Sequence, residues 1–229
     1  MQQRTMLRPS ASVSVAQATV GERIDFLKRV YALFLAGLLV AGGGGYVGLQ
    51  PAVLEFVVGN LLLSLVVLFG GVFAVGAVRK VPGVNLAAFG GFTFVMGVIA
   101  GPALAVAASR TGSFAVVYQA FLLTSGIFAG LTFYAFVSKR DFSFLRGFVW
   151  TGLFLMIGLG LLGIFIPFGS VLHMTLAAAS ALLFSVFVLY DTSRILRSHA
   201  TDEYVSGALS LFLDFFNLFL SLPRLMSRR

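Results

Sequence analysis

The sequence predicts an all-α protein that crosses a lipid bilayer seven times. Of its 229 residues, 59% are hydrophobic and only 10% are charged, and the mean hydropathy is +1.01. Soluble domains carry about 45–50% apolar and about 25% charged residues, so a water-soluble fold of this length could not hide so much apolar surface. The apolar residues form long continuous runs without alternation, which favours spanning helices over a transmembrane barrel.

Seven apolar runs follow one another along the chain. Each run is close to or longer than the roughly 20 residues that a helix needs to cross the hydrocarbon core. Proline, glycine and charged residues separate the runs, as expected for turns. Residues 28–229 are therefore predicted to form one seven-helix membrane domain, with its runs at residues 30–49, 52–78, 84–108, 114–137, 147–167, 170–192 and 204–222.

The first 27 residues are polar and rich in Ser, Gln and Arg. No small-residue cleavage site precedes the first apolar run, so this segment does not have the pattern of a signal peptide. Its composition predicts a disordered cytoplasmic tail at residues 1–27. A short surface helix from Glu22 to Arg29 is compatible with this prediction.

The basic residues cluster between the apolar runs and carry the net charge of +8. With seven crossings, twelve of the sixteen Lys and Arg residues fall on the side of the N-terminus and four on the other side. This asymmetry predicts a cytoplasmic N-terminus and contact with anionic lipid headgroups, and no nucleic-acid partner is expected. Three of the four exceptions follow the last run, so a re-entrant last run is the alternative. The length of that run favours a full crossing.

The residue types exclude several kinds of chemistry. There is no cysteine, which rules out disulfides, thiolate zinc sites and cysteine nucleophiles. The last run has no Ser–His or Glu–His pairing, and neither Asp191 nor Asp214 has the glycine-flanked motif expected of an intramembrane aspartyl protease. We expect neither an enzyme nor a bound cofactor.

Asp214 is the one ionisable residue near the middle of any apolar run. It lies ten residues after the start of the last run, about 15 Å along a helix. A charge at the centre of a membrane helix costs about 2.5–3.5 kcal/mol on insertion scales, so such a group should face a partner or a wet cavity. It either fixes helix packing through hydrogen bonds or has a functional role. Asn217, one turn later, either orients this carboxyl or only packs beside it.

Asp191, at the end of the sixth run, is the candidate partner of Asp214. The short connection at 198–203 makes the last two runs antiparallel neighbours. Two carboxyls held close together out of water cannot both ionise cheaply, so one keeps a proton and donates it to the other. Losing that proton leaves repulsion or a site for a hard cation such as Ca²⁺. Arg79, at the end of the second run, is either an alternative salt-bridge partner or a topology signal.

Several stretches resemble the Bax-inhibitor family of membrane proteins, especially its bacterial members. The resemblance extends from about residue 20 to the end and is most specific in the last fifty residues. The stretches are VLYDTSRIL (188–196), GALSLFLDFFNLFLSLPRLM (207–226), MGVIAGPALAVAAS (96–109), YQAFLLTSGIF (118–128) and YAFVSKRDFSFL (134–145).

The resemblance implies a seven-helix bundle whose last helix is central and wrapped by the other six. It implies a pH-sensitive calcium leak channel in a bacterial cytoplasmic membrane, with the paired aspartates of the family at Asp191 and Asp214 and its helix-two arginine at Arg79. Some bacterial members carry an acidic residue in the middle of helix two, and the matching stretch LSLVVLFGG has none. A second hypothesis is a non-transporting regulator that binds a membrane protease or another membrane complex through its basic tail.

Overall fold

The computed structural model describes residues 14–138 and 140–227, and these residues form an α-helical bundle. Seven of the helices in this part of the chain, all except the nine-residue α2, are long and apolar enough to cross a bilayer. The predicted all-α polytopic fold is therefore confirmed. The helices are α1 (Val20–Gly48), α2 (Pro51–Gly59), α3 (Leu61–Val78), α4 (Val84–Thr111), α5 (Ala115–Ser138), α6 (Arg146–Phe165), α7 (Ser170–Arg197) and α8 (Tyr204–Met226).

The last helix, α8, is the most enclosed of the seven. In its most apolar stretch 72% of the residues are buried, against 6% for α3 and for α6. Its extensive contacts are with α1, α4, α5 and α7, whereas α3 packs mainly on α4 and α6 packs mainly on α7. A central last helix wrapped by all six others is therefore not confirmed, although α8 is the most buried of the seven.

Aromatic side chains fill the space around α8. The ring of Phe215 lies 5.8 Å from that of Phe34 on α1 and 5.5 Å from that of Phe128 on α5. The ring of Phe212 lies 6.1 Å from that of Phe89 on α4. Aromatic pairs at these distances add about 0.5–1.5 kcal/mol each beyond the area that they bury. The phenylalanines of α8 thus join three neighbouring helices into one core.

Helices α1 and α4 approach each other most closely, along glycines. A Cβ atom built on Gly97 would overlap the carbonyl oxygen of Ala41, and one on Gly48 would overlap the carbonyl of Val98. Small residues allow backbones to come this close in membranes, where van der Waals packing drives helix association. The glycine-rich end of the first run is thus a helix contact.

The second apolar run is divided into two helices. The short helix α2 begins at Pro51 and ends at Gly59, and α3 begins at Leu61. Asn60 has φ −126° and ψ 49°, which is not helical, and its side-chain amide donates to the carbonyl of Phe56 at 2.9 Å. The exposed Glu55 lies on α2. Only α3 of this run has the length of a crossing.

The N-terminal boundary differs from the one predicted at residue 27. Residues 1–13 of the predicted tail lie outside the described residues, but residues 14–27 are folded onto the bundle. Thr19 and Glu22 form a capping box, in which the Thr19 amide donates to Glu22 Oε2 at 2.9 Å and the Glu22 amide donates to Thr19 Oγ1 at 3.3 Å. Because this cap satisfies free amides at the helix start, α1 begins at Val20.

The start of α1 and the loops after α3, α5 and α7 lie at the same end of the bundle, which we call the basic end. Arg79 after α3 pairs with Glu203 after α7 at 3.5 Å. The amide of Phe142 after α5 donates to Ser193 Oγ of α7 at 3.3 Å. Arg23 of α1 donates to the carbonyl of Leu196 at 3.5 Å. Both aspartates of interest are on the two helices joined at this end.

Candidate functional site

Asp191 is held inside the bundle by the length of α7. The helix continues for six residues beyond it, to Arg197, so Asp191 lies within the helix rather than at its end. Only 7% of the residue is exposed. The bulky neighbours Phe187, Val188 and Ile195 on the same helix are also buried. A residue that the sequence places at the boundary of an apolar run is therefore enclosed by protein.

Asp214 lies in the middle of α8 and is even more enclosed. It is 3% exposed, with buried Leu211, Phe215 and Leu218 around it on the helix. Its Oδ2 atom is buried and has no hydrogen-bond donor among the described residues. A buried polar atom without a donor costs about 1–3 kcal/mol, and more if it is charged. The structure thus confines this carboxyl without compensating a full negative charge on it.

The two acids lie on helices that pack against each other. Helices α7 and α8 are antiparallel and make the most extensive contact of α8 with any neighbour. Asp191 on α7 is 7% exposed and Asp214 on α8 is 3% exposed. The structure thus buries both of the aspartates that the sequence singles out, on two adjoining helices.

Arg194 is the cationic partner of Asp191 in this structure. Its Nη1 donates to Asp191 Oδ1 at 3.3 Å, one helical turn further along α7. Its guanidinium also lies over the ring of Tyr190, 5.8 Å from the ring centre. The Arg194 side chain is 42% exposed, and that of Asp191 only 10%. Sequence reasoning counted Arg194 as a topology signal, although its i,i+3 spacing from Asp191 is the spacing of helical ion pairs.

Arg79 is placed at the basic end, on acidic partners outside the aspartate pair. Its Nη2 lies 3.5 Å from Glu203 Oε1, and the neighbouring Lys80 lies 3.7 Å from the same oxygen and 3.8 Å from Asp202 Oδ2. The Arg79 side chain is 46% exposed. The expected alternative partner of the aspartate pair, Arg79, contacts Glu203 instead, and Arg194 is the arginine that contacts Asp191.

Asn217 uses its side chain on its own helix. Its amide donates to the carbonyl of Leu213 at 2.8 Å, and among the described residues no hydrogen bond joins it to Asp214. The carbonyl of Asn217 accepts from Ser221 Oγ at 2.7 Å, and Ser221 Oγ lies 2.8 Å from Ser180 Oγ of α7, at hydrogen-bond distance. This part of α8 therefore supports contact with α7 rather than the orientation of the Asp214 carboxyl.

Three further polar groups are buried near this level of α7. The hydroxyl of Tyr31 on α1 lies beside those of Thr132 on α5 and Thr192 on α7. None of the three makes a hydrogen bond of ordinary geometry within the described residues. No uncommon residue type marks these positions in the sequence, so this polar cluster becomes visible only when the three helices are assembled.

The site offers two carboxylates to a metal ion. Within residues 14–138 and 140–227, no group of three or more His, Cys, Asp or Glu side chains comes together. Calcium takes six to eight oxygen ligands in stable protein sites. Two carboxylates, Asp191 and Asp214, could thus contact a cation that keeps much of its water shell.

Comparison with known proteins identifies the family of this chain. The family model described as "Inhibitor of apoptosis-promoting Bax1" matches residues 23–229. The chain is 32% identical to Bax inhibitor 1 of Schizosaccharomyces pombe, an alignment that covers 93% of this chain and 79% of the other. It is 33% identical to Protein lifeguard 4 of Mus musculus, with 93% and 88% covered.

A viral protein is similar over the same range. The Golgi anti-apoptotic protein of Vaccinia virus is 35% identical over 218 residues, which cover 93% of this chain and 89% of the viral one. The matches extend over the helical bundle, including both helices that carry the aspartates. This multi-pass membrane protein belongs to the Bax-inhibitor family.

Proposed function

We propose that this protein is a pH-sensitive calcium leak channel of the Bax-inhibitor type, gated by a proton that Asp191 and Asp214 share. The observation that carries the proposal is the buried Oδ2 of Asp214, which has no hydrogen-bond donor among the described residues. Its helix packs against the one that carries the buried Asp191. The proposal includes a bacterial cytoplasmic membrane and a cytoplasmic basic end, in keeping with the distribution of Lys and Arg.

A shared proton accounts for the missing donor. If both acids were ionised, Asp214 would place an uncompensated charge inside the bundle, at a cost of several kcal/mol. A carboxyl that keeps its proton becomes a donor itself, and a neighbouring carboxylate can accept from it. Arg194 stabilises the negative charge on Asp191. The proton therefore belongs on Asp214, with Asp191 as the ionised partner.

The pair is placed where it can control how α8 fits into the bundle. Asp214 sits on the central helix, and Asp191 sits on the helix with which α8 has its largest interface. With the proton in place, the two carboxyls attract and hold α7 against α8. Without it, two negative charges repel across the interface and attract a hard cation. Release of one proton thus replaces an attractive contact by a cation-binding opening.

Two cations compete with calcium for this negative charge. Arg194 already contacts Asp191, and its partly exposed side chain can withdraw toward water. Arg79 lies at the same end of the bundle and holds Glu203 in a half-exposed ion pair, which is worth at most about 1 kcal/mol. Such a weak pair leaves Arg79 free to exchange partners when α7 moves.

Calcium flux into liposomes tests this function. The full-length protein is reconstituted with a calcium indicator inside the vesicles, and flux is followed from about pH 5 to about pH 8, the range over which a gate of physiological use must respond. We expect the parent protein to change its flux with pH. Asp214→Asn and Asp191→Asn should each give flux that no longer varies with pH, because an amide cannot exchange the proton.

The matched control is Asp25→Asn, which makes the same chemical change at an exposed residue of α1. It should keep the pH profile of the parent. Size-exclusion chromatography of each variant before reconstitution shows that the protein is folded. Equal flux and an equal pH profile from Asp214→Asn and the parent would contradict the assignment, as would a folded parent protein that carries no calcium at any pH.

A further inference from the structure

The segment that precedes α1 is attached to the loop between α7 and α8. Ser14 and Ala200 form an isolated antiparallel bridge, and the Val15 amide donates to the His199 carbonyl at 2.8 Å. The side chain of Val15 is fully buried in the main core. A turn follows, in which the amides of Gln17 and Ala18 donate to the Ser14 carbonyl at 2.9 and 3.0 Å. We call residues 14–18 the N-terminal strap.

His199 lies at the point where the strap is attached. It is only 5% exposed, and its Nδ1 lies 3.3 Å from the carbonyl oxygen of Arg194. The charged groups that act on its ring come from three elements, namely Arg194 on α7, Glu203 before α8 and Arg79 after α3. Two of these three groups are positive, so a proton on His199 would add a third positive charge to a buried position.

Contacts continue from His199 to the acid pair through Arg194. The Arg194 carbonyl accepts from the amides of Ser198 at 2.8 Å and His199 at 3.3 Å, which fixes the end of α7. The guanidinium of the same residue contacts Asp191. The residue to which the strap is attached, His199, therefore contacts Arg194 directly, and Arg194 is the cation that pairs with Asp191.

We infer that the N-terminal strap is an acid-released clamp on the α7–α8 loop, with Val15 as its anchor and His199 as its proton sensor. The strap carries its own backbone hydrogen bond, bridge and buried side chain. Its docking can therefore be measured without any assay of transport, and the inference stands apart from the proposed channel activity.

The direction of the pH response follows from the burial of His199. Burial lowers the pKa of His199 below its ordinary value of 6.5. The charges of Arg194 and Arg79 lower this pKa further, whereas the hydrogen bond to the Arg194 carbonyl and the charge of Glu203 raise it. The net effect is a lowered pKa. Above about pH 6.5 the ring is neutral whether or not the strap is docked. Below that pH the undocked state binds a proton that the docked state does not. Docking therefore weakens as pH falls, by at most about tenfold per pH unit for one proton.

A spin label on the strap tests the inference. Because the natural chain has no cysteine, Ala16→Cys gives a single labelling position, exposed and next to the buried anchor. The nitroxide spectrum of the full-length protein in liposomes is recorded from about pH 8 to about pH 5. We expect an immobilised label at high pH and a growing mobile fraction below about pH 6.5.

Four variants identify the groups responsible. His199→Gln should remove the pH response of the label, whereas His173→Gln, the same change at the other histidine of the chain, should retain it. Val15→Ser should give a mobile label at every pH, since the buried anchor is lost. Ser14→Cys and Ala200→Cys link the strap to the α7–α8 loop through a disulfide. When Ala16→Cys is labelled only after this disulfide has formed, the label should stay immobilised in acid.

Three outcomes of the labelling experiment would overturn the inference or one of its parts. A label whose mobility is the same at all pH values overturns the inference. An unchanged acid response in a folded His199→Gln variant overturns the role of His199, and an acid response that persists in the disulfide-linked protein overturns the release of the strap. The predicted pattern in the labelled parent and the four variants supports the clamp, whether or not the protein conducts calcium.

Discussion

Asp191 Oδ1 accepts a hydrogen bond from Arg194 Nη1 at 3.3 Å, one turn further along the same helix. This contact places a positive charge at one side of the acid pair, whereas Asp214 Oδ2 at the other side has no donor among the described residues. In the proposed gate, this asymmetry favours the negative charge on Asp191 and the proton on Asp214.

Replacing the arginine should move the pH profile of calcium flux. In Arg194→Gln the ionised form of Asp191 loses its cation, so the pair should keep its proton to higher pH. The midpoint of the flux profile should rise by about one pH unit. This is the low end of the shifts that a neighbouring charge causes, because the Arg194 side chain is partly exposed. The measurement is the liposome flux described above. Arg110→Gln, at an exposed position in the last turn of α4, should leave the midpoint in place. A midpoint that is unchanged in Arg194→Gln would contradict the role of the ion pair.

The contact between α1 and α4 should not tolerate a methyl group. In Gly97→Ala the added Cβ meets the carbonyl of Ala41, and because this neighbour is backbone, the helices must separate at a cost of roughly 1–3 kcal/mol or more. The expected result is a clear loss of thermal stability in detergent. Gly91→Ala on the same helix, where a Cβ meets nothing within 4 Å, should leave the melting temperature unchanged or higher. Equal melting temperatures for both variants would contradict this packing.

The hydroxyl pair between α7 and α8 should contribute a small, measurable coupling. Ser221 Oγ and Ser180 Oγ lie 2.8 Å apart, at hydrogen-bond distance, and interhelical hydrogen bonds in membranes average about 0.6 kcal/mol. A double-mutant cycle of Ser221→Ala and Ser180→Ala, followed by denaturant unfolding, should give a coupling of that size. Ser185→Ala is the control, because that hydroxyl bonds to the Ala181 carbonyl of its own helix. Exact additivity of the two single changes would show that the pair does not form.

The first helix should fray when its cap is removed. Thr19→Ala loses the side-chain half of the capping box with Glu22, at a cost of about 1 kcal/mol. Since the strap ends at this cap, a nitroxide at Ala16→Cys should become more mobile at high pH. Thr175→Ala is the matched control, since that hydroxyl bonds to a carbonyl of its own helix. A label that stays equally immobilised in Thr19→Ala would show that the cap does not support the strap.

The sequence predicts most of the fold because hydropathy determines which helices span the membrane. The six boundaries between runs contain proline, glycine or charge, and seven long apolar helices result. The break at Asn60 was missed because it lies inside a continuous apolar run. The start of α1 was placed too late, although Thr19 and Glu22 have the spacing of a capping box.

The two buried acids could be singled out from the sequence, whereas the contacts of the arginines could not. A carboxylate in the middle of an apolar run is costly enough to stand out, and Asp214 was identified on that ground. Which arginine meets Asp191 depends on the length of α7 beyond it and on where the α3–α4 loop lies. Arg79 is paired with Glu203 instead, a contact between loops that no periodicity indicates. The attachment of residues 14–18 to the α7–α8 loop is a long-range contact of the same kind.

The most direct test of the shared proton is infrared difference spectroscopy of the protein in liposomes, which detects the carbonyl band of a protonated carboxyl. We predict that the parent shows such a band near neutral pH, that Asp25→Asn retains it, and that Asp214→Asn loses it because the remaining Asp191 is ionised beside Arg194. A parent protein with no protonated carboxyl near neutral pH, or a band that persists unchanged in Asp214→Asn, would contradict the account.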